Sequence, residues 1–238
     1  MRHFGIIGYP LEHSSSPTYF TTFFQQHHID ATFEKLEITE IQQLTEILAQ
    51  HHLDGFTVTH PYKEQIIPFL DELRSEVGTV NVVKCTAGRL IGYNTDYIGF
   101  EQSIRPFVTH FDSKALILGT GGVAKAVAYG LQQMAIPYAF VSRQKPECLH
   151  YEQLDADMMA ENRLIINCTP LGMFPAIDTC PPIPYSLLRA EHILFDCIYN
   201  PLQSLFLQKG EQKGCTTING WEMFEIQAQE AWKIWEKG

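Results

Sequence analysis

The chain has 238 residues, of which 45% are hydrophobic, and this is enough apolar sequence to bury a substantial core in one large domain or two modest ones. The 27 acidic and 17 basic residues give a formal net charge of -10, which disfavours a nucleic-acid partner because binding to a phosphate backbone depends on clustered Lys and Arg. The 6 cysteines form no C-x-x-C pair, and no apolar run approaches the roughly 18 residues of a membrane-spanning helix. We therefore expect a cytoplasmic protein with reduced thiols, no metal site, no membrane contact and a small-molecule substrate.

In the first part of the chain, short strand-like runs alternate with longer helical patterns, which is typical of parallel sheets covered by helices. The predicted strands are residues 4–7, 32–37 and 55–59, and the predicted helices are residues 17–28 and 39–50. Pro61 ends the third strand because proline cannot donate to a sheet, and a turn at Pro61-Tyr62 would leave Lys63 at the carboxyl end of that strand. Open α/β sheets bind their ligands at these strand ends.

The following segments complete a first module and begin a second. Strands are predicted at 79–83 and 90–93, followed by Asn94-Thr95-Asp96 and a helix that begins near Tyr97. The second module begins at Lys114 and continues into an apolar run at 115–118, of the kind that is buried on both faces of a parallel sheet. Further strands are predicted at 139–141, 164–167 and 193–196, and an amphipathic terminal helix at 222–237.

A glycine-rich turn follows the 115–118 strand. Gly119-x-Gly121-x-x-Ala124 lies between this strand and a predicted helix at 123–134, which is the context in which such a pattern binds a dinucleotide. Glycines permit a tight turn and let backbone amides approach a pyrophosphate, which the amino end of the helix also attracts. In the alternative interpretation, these glycines only allow close packing of strand and helix.

The end of the next strand indicates which dinucleotide is bound. Folds that prefer NAD usually have Asp or Glu there, whereas this chain has Ser142-Arg143-Gln144-Lys145. Arg143 can form several hydrogen bonds with a 2′-phosphate, which an acid would repel. NADP is therefore the favoured cofactor, and an ordinary solvated Arg-Lys pair is the alternative.

The segment Gly8–Pro17 combines a glycine-proline turn with three serines immediately before a predicted helix. In one interpretation Ser16 is only an N-cap, with Pro17 at the first helical position. In the other, serine hydroxyls and free amides at the helix start form a neutral cradle for a carboxylate. Both interpretations are open on composition alone.

Several of these segments together resemble the shikimate dehydrogenase family. The family's motifs G-x-P-x-x-H-S-x-S-P, G-x-N-V-T-x-P-x-K, V-N-T and N-T-D have counterparts that begin at Gly8, Gly55, Val80 and Asn94. The second half has counterparts of a G-x-G-G turn, an N-R-T segment, an N-x-T-P-x-G-M loop at 167–173 and a closing helix that bears Gln227. The counterpart of N-R-T is Ser142-Arg143-Gln144, in which Arg143 is kept but Ser142 in place of Asn weakens the match. The counterparts occur in the same order and extend over nearly the full length of the chain.

The resemblance implies two α/β domains. Residues 1–100 with 221–238 would be the substrate-binding and catalytic domain, with a mainly parallel sheet. Residues 101–220 would be a Rossmann-like NADP-binding domain, after which the C-terminal helix returns to the first domain. The implied activity is the NADP-dependent, reversible reduction of 3-dehydroshikimate to shikimate by a monomer or homodimer.

The resemblance also implies roles for individual side chains. Lys63 would be the acid/base, and Asp96 would hold both the lysine and a substrate hydroxyl. The substrate-binding set comprises Ser14 and Ser16 for the carboxylate, Thr59, Asn81, Lys63, Asp96 and Gln227 for the ring hydroxyls, and Tyr199 as a wall of the pocket. The cofactor-binding set comprises Gly119, Thr120, Gly121, Gly122, Val123, Ser142, Arg143, Thr169, Cys197 and Gly220, and no metal is implied.

Four residues near the implied substrate pocket depart from the family's pattern. Thr57 stands where Asn is common, His60 where an aliphatic residue is usual, Val82 where the family has Thr, and Tyr97 where it has Gly. Because Val82 removes a hydroxyl and Tyr97 adds bulk, quinate or an amino-substituted shikimate is an alternative substrate. From another class, a noncatalytic sensor of a polyhydroxylated acid and a nucleotide is a further alternative, against which the retention of Lys63 and Asp96 argues.

Overall fold

The chain divides into two compact units in a computed structural model, which describes residues 1–109 and 112–237. One unit comprises Met1–Thr95 together with Gln227–Gly238, and the other comprises Asp96–Ile226. Each unit contains one sheet with helices packed on it, so the predicted α/β class is confirmed. No helix in the described part of the chain combines the length and the hydropathy that a bilayer crossing requires.

The first unit is a mixed sheet with helices on its two faces. Its elements in chain order are β1 (Arg2–Gly8), α1 (Ser16–Gln26), β2 (Ala31–Glu37), α2 (Leu44–Gln50), β3 (Gly55–Val58), β4 (Glu72–Arg74), β5 (Val82–Thr86) and β6 (Arg89–Tyr93). The strand order is β2-β1-β3-β5-β6-β4. β1 is parallel to β2 and β3, and β4 is parallel to β6, whereas β5 is antiparallel to both β3 and β6.

Alternation of side chains along β1 explains why both faces of this sheet are buried. Phe4 and Ile6 pack with Phe20 of α1 on one face. Ile7 packs with Leu44 of α2 on the other face. Burial of one such side chain stabilises the folded state by roughly 1.5–3 kcal/mol. Packing on both faces therefore fixes the position of β1 and of its carboxyl end.

The second unit is a parallel sheet covered on both faces. Its elements are α3 (Asp96–Ile104), β7 (Ala115–Leu118), α4 (Gly122–Gln133), β8 (Tyr138–Val141), α5 (Ala156–Glu161), β9 (Leu164–Asn167), β10 (Ile193–Asp196), α6 (Leu205–Glu211) and β11 (Thr216–Ile218). The strand order is β11-β10-β9-β7-β8, and each neighbouring pair is parallel. Ala115 and Ile117 of β7 face the cluster that includes Phe100 of α3, whereas Leu116 and Leu118 face the opposite cluster. This is the doubly wound arrangement that the apolar run at 115–118 predicted.

The terminal helix, α7 (Trp221–Glu236), belongs to the first unit from Gln227 onward. Trp235 stacks on Phe4 with 4.7 Å between ring centroids, and its Nε1 donates a 2.9 Å hydrogen bond to the Val83 carbonyl. Lys84 Nζ donates to the Ile234 carbonyl at 3.1 Å, near the end of the helix. The predicted return of the C-terminal helix to the first domain is confirmed.

The predicted strand at 79–83 has the wrong bounds, because β5 begins at Val82. The Val80 amide donates to the Lys63 carbonyl at 2.8 Å, and the Asn81 amide donates to the Tyr93 carbonyl at 3.1 Å, so residues 80–81 bond to a turn and a strand end. The predicted helix at 39–50 is shorter, since a 3-10 turn at Ile41–Gln43 precedes α2. β4, β11, α5 and α6 were not predicted.

Candidate functional site

Asn81 is the centre of a hydrogen-bond network in the first unit. Its Nδ2 donates to Thr95 Oγ1 at 2.9 Å and to Gln227 Oε1 at 3.2 Å, and its Oδ1 accepts from the Thr95 amide at 2.7 Å. Thr95 Oγ1 in turn donates to the Gln227 carbonyl at 3.0 Å. The structure therefore brings together two predicted site residues, Asn81 and Gln227, that are 146 positions apart in sequence. Thr95, which was part of a motif but had no assigned role, joins them.

The segment after β3 carries Thr59 and Lys63. The Thr59 amide donates to the Ile7 carbonyl at 2.9 Å, and the Tyr62 amide donates to the Thr59 carbonyl at 2.9 Å, which closes the turn that presents half-buried Lys63. Gly8 is required beside this turn, because a Cβ at Gly8 would collide with the Thr59 side chain. The ends of β1 and β3 are therefore packed directly against each other.

Ser14 and Ser16 lie at the start of α1. Ser16 is buried and is the first residue of the helix, so it is not the N-cap, and the interpretation of Ser16 as a simple cap is wrong. Within the described residues, the N-cap Ser15 makes no side-chain capping hydrogen bond. Ser14 is half-buried, and its amide donates to the Leu11 carbonyl at 3.1 Å.

Asp96 opens the second unit as the first residue of α3, and its side chain is buried. A carboxylate in the first turn of a helix is stabilised by the positive end of the helix dipole.

The glycine turn lies between β7 and α4, as predicted. Gly119 has φ +105°, in the region that favours glycine, and a Cβ there would lie 3.2 Å from the Cys168 carbonyl oxygen. Gly121 precedes the first helical residue, Gly122, and a Cβ on Gly121 would have no neighbour within 4 Å among the described residues. The backbone of this turn is therefore open on the side of Gly121 and closely packed on the side of Gly119. Thr120 lies between them, and Val123 is in the first turn of α4.

Ser142 and Arg143 follow β8. Ser142 Oγ accepts hydrogen bonds from the amides of Gln144 and Lys145, both at 3.3 Å, and these bonds fix the turn. The Ser142 amide donates to the Leu149 carbonyl at 2.8 Å. Arg143 is exposed at the tip of this turn.

A second buried network joins the ends of β9 and β10. Asn167 Oδ1 accepts from the amide and the hydroxyl of Thr169 at 3.0 Å and 2.7 Å, and Asn167 Nδ2 donates to Asp196 Oδ1 at 3.0 Å. Asp196 also accepts from the Ile198 amide at 3.0 Å and from the Ser204 hydroxyl. Burial raises the pKa of the Asp196 carboxyl to about 7, although the hydrogen bonds from Ser204, Ile198 and Asn167 lower it.

Asp196 and Ser204 had no predicted role. The only sequence signal was the position of Asp196 at the end of the predicted strand 193–196. In the structure, Asp196 holds Asn167, and Asn167 holds Thr169, which is a predicted cofactor-binding residue.

Cys197, Tyr199 and Gly220 lie after β10 and β11. A Cβ on Gly220 would collide with the Cys197 carbonyl, and the Gly220 amide donates to the Ile198 carbonyl at 3.0 Å. Cys197 Sγ is 3.7 Å from Cys168 Sγ. The ring of Tyr199 packs on Phe224 of α7 at a centroid distance of 4.8 Å.

In residues 1–109 and 112–237, no group of three or more His, Cys, Asp or Glu side chains is arranged to hold a metal ion.

Comparison with known proteins identifies the family. A family model described as the shikimate dehydrogenase substrate binding domain matches residues 6–83. A shikimate dehydrogenase (NADP(+)) of Caldicellulosiruptor saccharolyticus is 34% identical over 259 residues, which cover 99% of this chain and 92% of that protein. The chain belongs to the shikimate dehydrogenase family. The resemblance stated from the motifs is thereby confirmed.

Three further proteins are similar to this chain. A shikimate dehydrogenase (NADP(+)) of Staphylococcus epidermidis is 34% identical over 98% of this chain and 91% of its own length. The crystal structure of the shikimate 5-dehydrogenase of Thermus thermophilus, in complex with NADP(H) and shikimate, has a TM-score of 0.87 at 27% identity and covers 99% of this chain and 94% of that one. A quinate dehydrogenase of Corynebacterium glutamicum, in complex with NAD, has a TM-score of 0.86 at 24% identity over 99% of this chain and 93% of that one, which shows the fold alone.

The four departures from the family's pattern have different surroundings. Val82 is buried in β5, His60 is exposed, and Thr57 is buried in β3, where its Oγ1 has no hydrogen-bond partner among the described residues. The ring of Tyr97 packs edge-on against Tyr129 of α4 at a centroid distance of 4.9 Å. The bulk that Tyr97 adds therefore fills the space between α3 and α4 of the second unit.

Proposed function

We propose that this chain catalyses the NADP-dependent, reversible reduction of 3-dehydroshikimate to shikimate, a step of aromatic amino acid biosynthesis. The observation that carries this proposal is the 34% identity, over 99% of the chain, to a relative named shikimate dehydrogenase (NADP(+)). Substrate binding is assigned to the unit Met1–Thr95 with Gln227–Gly238, which the family-model match at residues 6–83 supports. NADP binding is assigned to the unit Asp96–Ile226, which the parallel sheet and its glycine turn support.

The proposed substrate is a polyhydroxylated carboxylic acid. Ser14 and Ser16 bind its carboxylate at the start of α1, where amide groups and the helix dipole favour an anion. Asn81, Gln227 and Thr59 bind ring hydroxyls. The hydrogen bond between Asn81 and Gln227 supports this assignment, because it orients two amide side chains that each have both a donor and an acceptor end.

Lys63 is the proposed acid and base. In the direction of reduction its ammonium group donates a proton to the oxygen of the substrate ketone, and in the direction of oxidation the neutral amine accepts that proton. Bound NADPH would supply the hydride. Asp96, in the first turn of α3, accepts a hydrogen bond from a substrate hydroxyl. Tyr199 forms a wall of the reacting pocket.

The residues of the second unit fit a dinucleotide. Around Gly121 the backbone is open, so a pyrophosphate can approach the amides at the start of α4. Exposed Arg143, beside Ser142, suits a 2′-phosphate, which supports NADP over NAD. Asn167 accepts a hydrogen bond from the Thr169 hydroxyl and is itself oriented by its hydrogen bond to Asp196. The remaining proposed cofactor contacts are Gly119, Thr120, Gly122, Val123, Cys197 and Gly220.

An absorbance assay of NADP reduction by the full chain tests this proposal. The substrates are shikimate, quinate, an amino-substituted shikimate and a blank, each with NADP and with NAD. We expect the largest kcat/KM with shikimate and NADP. A larger kcat/KM with quinate would assign the neighbouring dehydrogenase activity, and binding of shikimate without turnover would assign a noncatalytic sensor.

Variants of one lysine separate catalysis from binding. Lys63→Ala should lower kcat by roughly 100-fold to 10,000-fold, because a positioned proton donor is lost. Shikimate binding, measured by calorimetry, should be retained. Lys233→Ala is the matched control, because Lys233 is an exposed lysine of α7 that pairs with Glu230. A Lys63→Ala variant with the wild-type rate would refute the assignment of the acid and base.

The proposed setting is the cytoplasm, where NADPH is available and thiols stay reduced, and all six cysteines are present here as free thiols.

The proposed assembly is a monomer or a homodimer, which analytical ultracentrifugation distinguishes.

A further inference from the structure

Two cysteines follow neighbouring strands of the second unit at the same level. Cys168 comes directly after β9, and Cys197 comes directly after β10. Asn167 and Asp196 are the last register pair of these parallel strands, and the Cys197 amide donates to the Asn167 carbonyl at 3.0 Å. The two sulfur atoms are 3.7 Å apart. Both side chains are half-buried.

This placement suits a covalent bond between the two sulfurs. Neighbouring strands lie about 4.8 Å apart, and the Cα atoms of disulfide-bonded cysteines lie about 4.4–6.8 Å apart. The sulfur atoms would have to approach from 3.7 Å to about 2.0 Å. Small rotations of the two side chains, with a small shift of the segments after β9 and β10, achieve this.

We propose that Cys168 and Cys197 are an oxidisable dithiol whose disulfide weakens NADP binding. The oxidant is a small-molecule disulfide. One protein thiolate attacks a sulfur of that disulfide, forms a mixed disulfide and releases one external thiolate. The second protein thiolate attacks the protein-bound sulfur, forms the Cys168–Cys197 bond and releases the second external thiolate. The protein loses two protons and two electrons, and the external disulfide becomes two thiols.

The hydrogen bond with Cys168 raises the pKa of the Cys197 thiol, and so do burial and the neighbouring Asp196 and Asp96 carboxylates. Exchange proceeds through the thiolate, so oxidation of this pair is slow at neutral pH and responds to sustained exposure to oxidant.

The link to NADP comes from two glycines, and it rests on the proposed function. The Cys168 carbonyl oxygen is 3.2 Å from where a Cβ on Gly119 would lie, and the Cys197 carbonyl lies directly against Gly220. A shift of either cysteine backbone therefore moves a proposed cofactor-binding segment. By thermodynamic reciprocity, bound NADP must then also disfavour the disulfide.

The test treats the reduced full chain with glutathione disulfide. Peptide mapping without reduction should recover one peptide pair that links Cys168 to Cys197, and the intact mass should fall by two hydrogens. The dissociation constant for NADP, measured by fluorescence, should rise by roughly 5-fold to 150-fold and return to its starting value after reduction. Saturating NADP should slow formation of the bond.

Variants complete the test. Treatment should leave the NADP affinity of Cys168→Ser unchanged, or of Cys168→Ala if the serine variant does not fold, whereas Cys148→Ser should respond like the wild type. A stable mixed disulfide, a linkage between other cysteines, or a Cys168–Cys197 bond without loss of affinity would each overturn the proposal. Failure of the reduced chain to bind NADP would refute the proposed function instead, while the peptide map would still decide whether the Cys168–Cys197 disulfide forms.

Discussion

Thr57→Val should make the protein more stable. Thr57 is the third residue of β3, in register with Ile6 of β1 and Val82 of β5. Its side chain is 6% exposed, and its Oγ1 is buried without a hydrogen-bond partner among residues 1–109 and 112–237. Valine has nearly the same shape, and it replaces the hydroxyl with a methyl group that its apolar neighbours can contact.

The magnitude follows from the state of the hydroxyl group. A buried donor or acceptor without a partner costs about 1–3 kcal/mol relative to its hydrated state, and removal of the group recovers that free energy. We therefore expect the free energy of unfolding to increase by about 1–2 kcal/mol. For a chain of this length, each kcal/mol raises Tm by about 2–4 °C.

Thr79→Val is the matched control, because Thr79 is a fully buried threonine of the same unit with a bonded hydroxyl. Its Oγ1 accepts a hydrogen bond from Asn94 Nδ2 at 3.0 Å. Loss of that acceptor should lower the free energy of unfolding by about 1–3 kcal/mol. The decrease should fall near the lower limit, because Asn94 Nδ2 also donates to the Thr79 carbonyl at 3.1 Å.

Urea unfolding followed by circular dichroism and by tryptophan fluorescence measures both changes. Trp232 and Trp235 are buried in the same unit as the two threonines, so their fluorescence reports on its unfolding. The two variants should differ from the wild type in opposite directions. Destabilisation of both variants by similar amounts would refute the reasoning, because it would mean that the Thr57 hydroxyl forms a bond as strong as that of Thr79.

Three further predictions concern buried groups elsewhere in the chain. The first is Asp196→Asn. Burial raises the pKa of the Asp196 carboxyl to about 7, so the folded chain holds this proton more tightly than the unfolded chain. The resulting stabilisation is fully present below pH of about 4 and is lost as the pH rises to about 7. In urea titrations, the unfolding free energy of the wild type should therefore fall relative to that of Asp196→Asn across this pH range. Trp235→Phe should lower the unfolding free energy by about 1–3 kcal/mol, since the buried Val83 carbonyl loses its donor; an unchanged urea midpoint would contradict this. Gly220→Ala should lower the thermal midpoint and weaken NADP binding, because the new Cβ would collide with the Cys197 carbonyl; calorimetry that gave wild-type values for both would show that the segment can shift freely.

Several strands could be predicted almost to the residue, whereas two edge strands, β4 and β11, could not. β9 (Leu164–Asn167) and β10 (Ile193–Asp196) match their predictions because each is a buried apolar run between polar segments. β4 (Glu72–Arg74) is largely exposed at the edge of its sheet and charged at both ends, so no apolar period marks it. β11 (Thr216–Ile218) is also an edge strand, and it is only partly buried.

The candidate site shows a similar division. Motifs named the individual side chains, because each motif is short and local. They gave no information about which residues bond to one another, since Asn81 and Gln227 are joined only after α7 packs in the first unit. The role of Asp196 was not predicted for the same reason. Its partner Asn167 lies on a different strand, and its partner Ser204 lies at the start of a helix.

Tyr97 shows why a departure from a motif has to be interpreted with the rest of the chain. From sequence, a tyrosine in place of the family's glycine adds bulk near the implied substrate pocket. In the structure, Tyr97 instead packs on Tyr129, and the adjacent Gly130 lets α3 approach α4, because a Cβ there would lie 2.9 Å from Phe100 and 3.5 Å from the Tyr97 carbonyl. The extra ring is thus accommodated by residues of another helix, which comparison of the local motif alone cannot reveal.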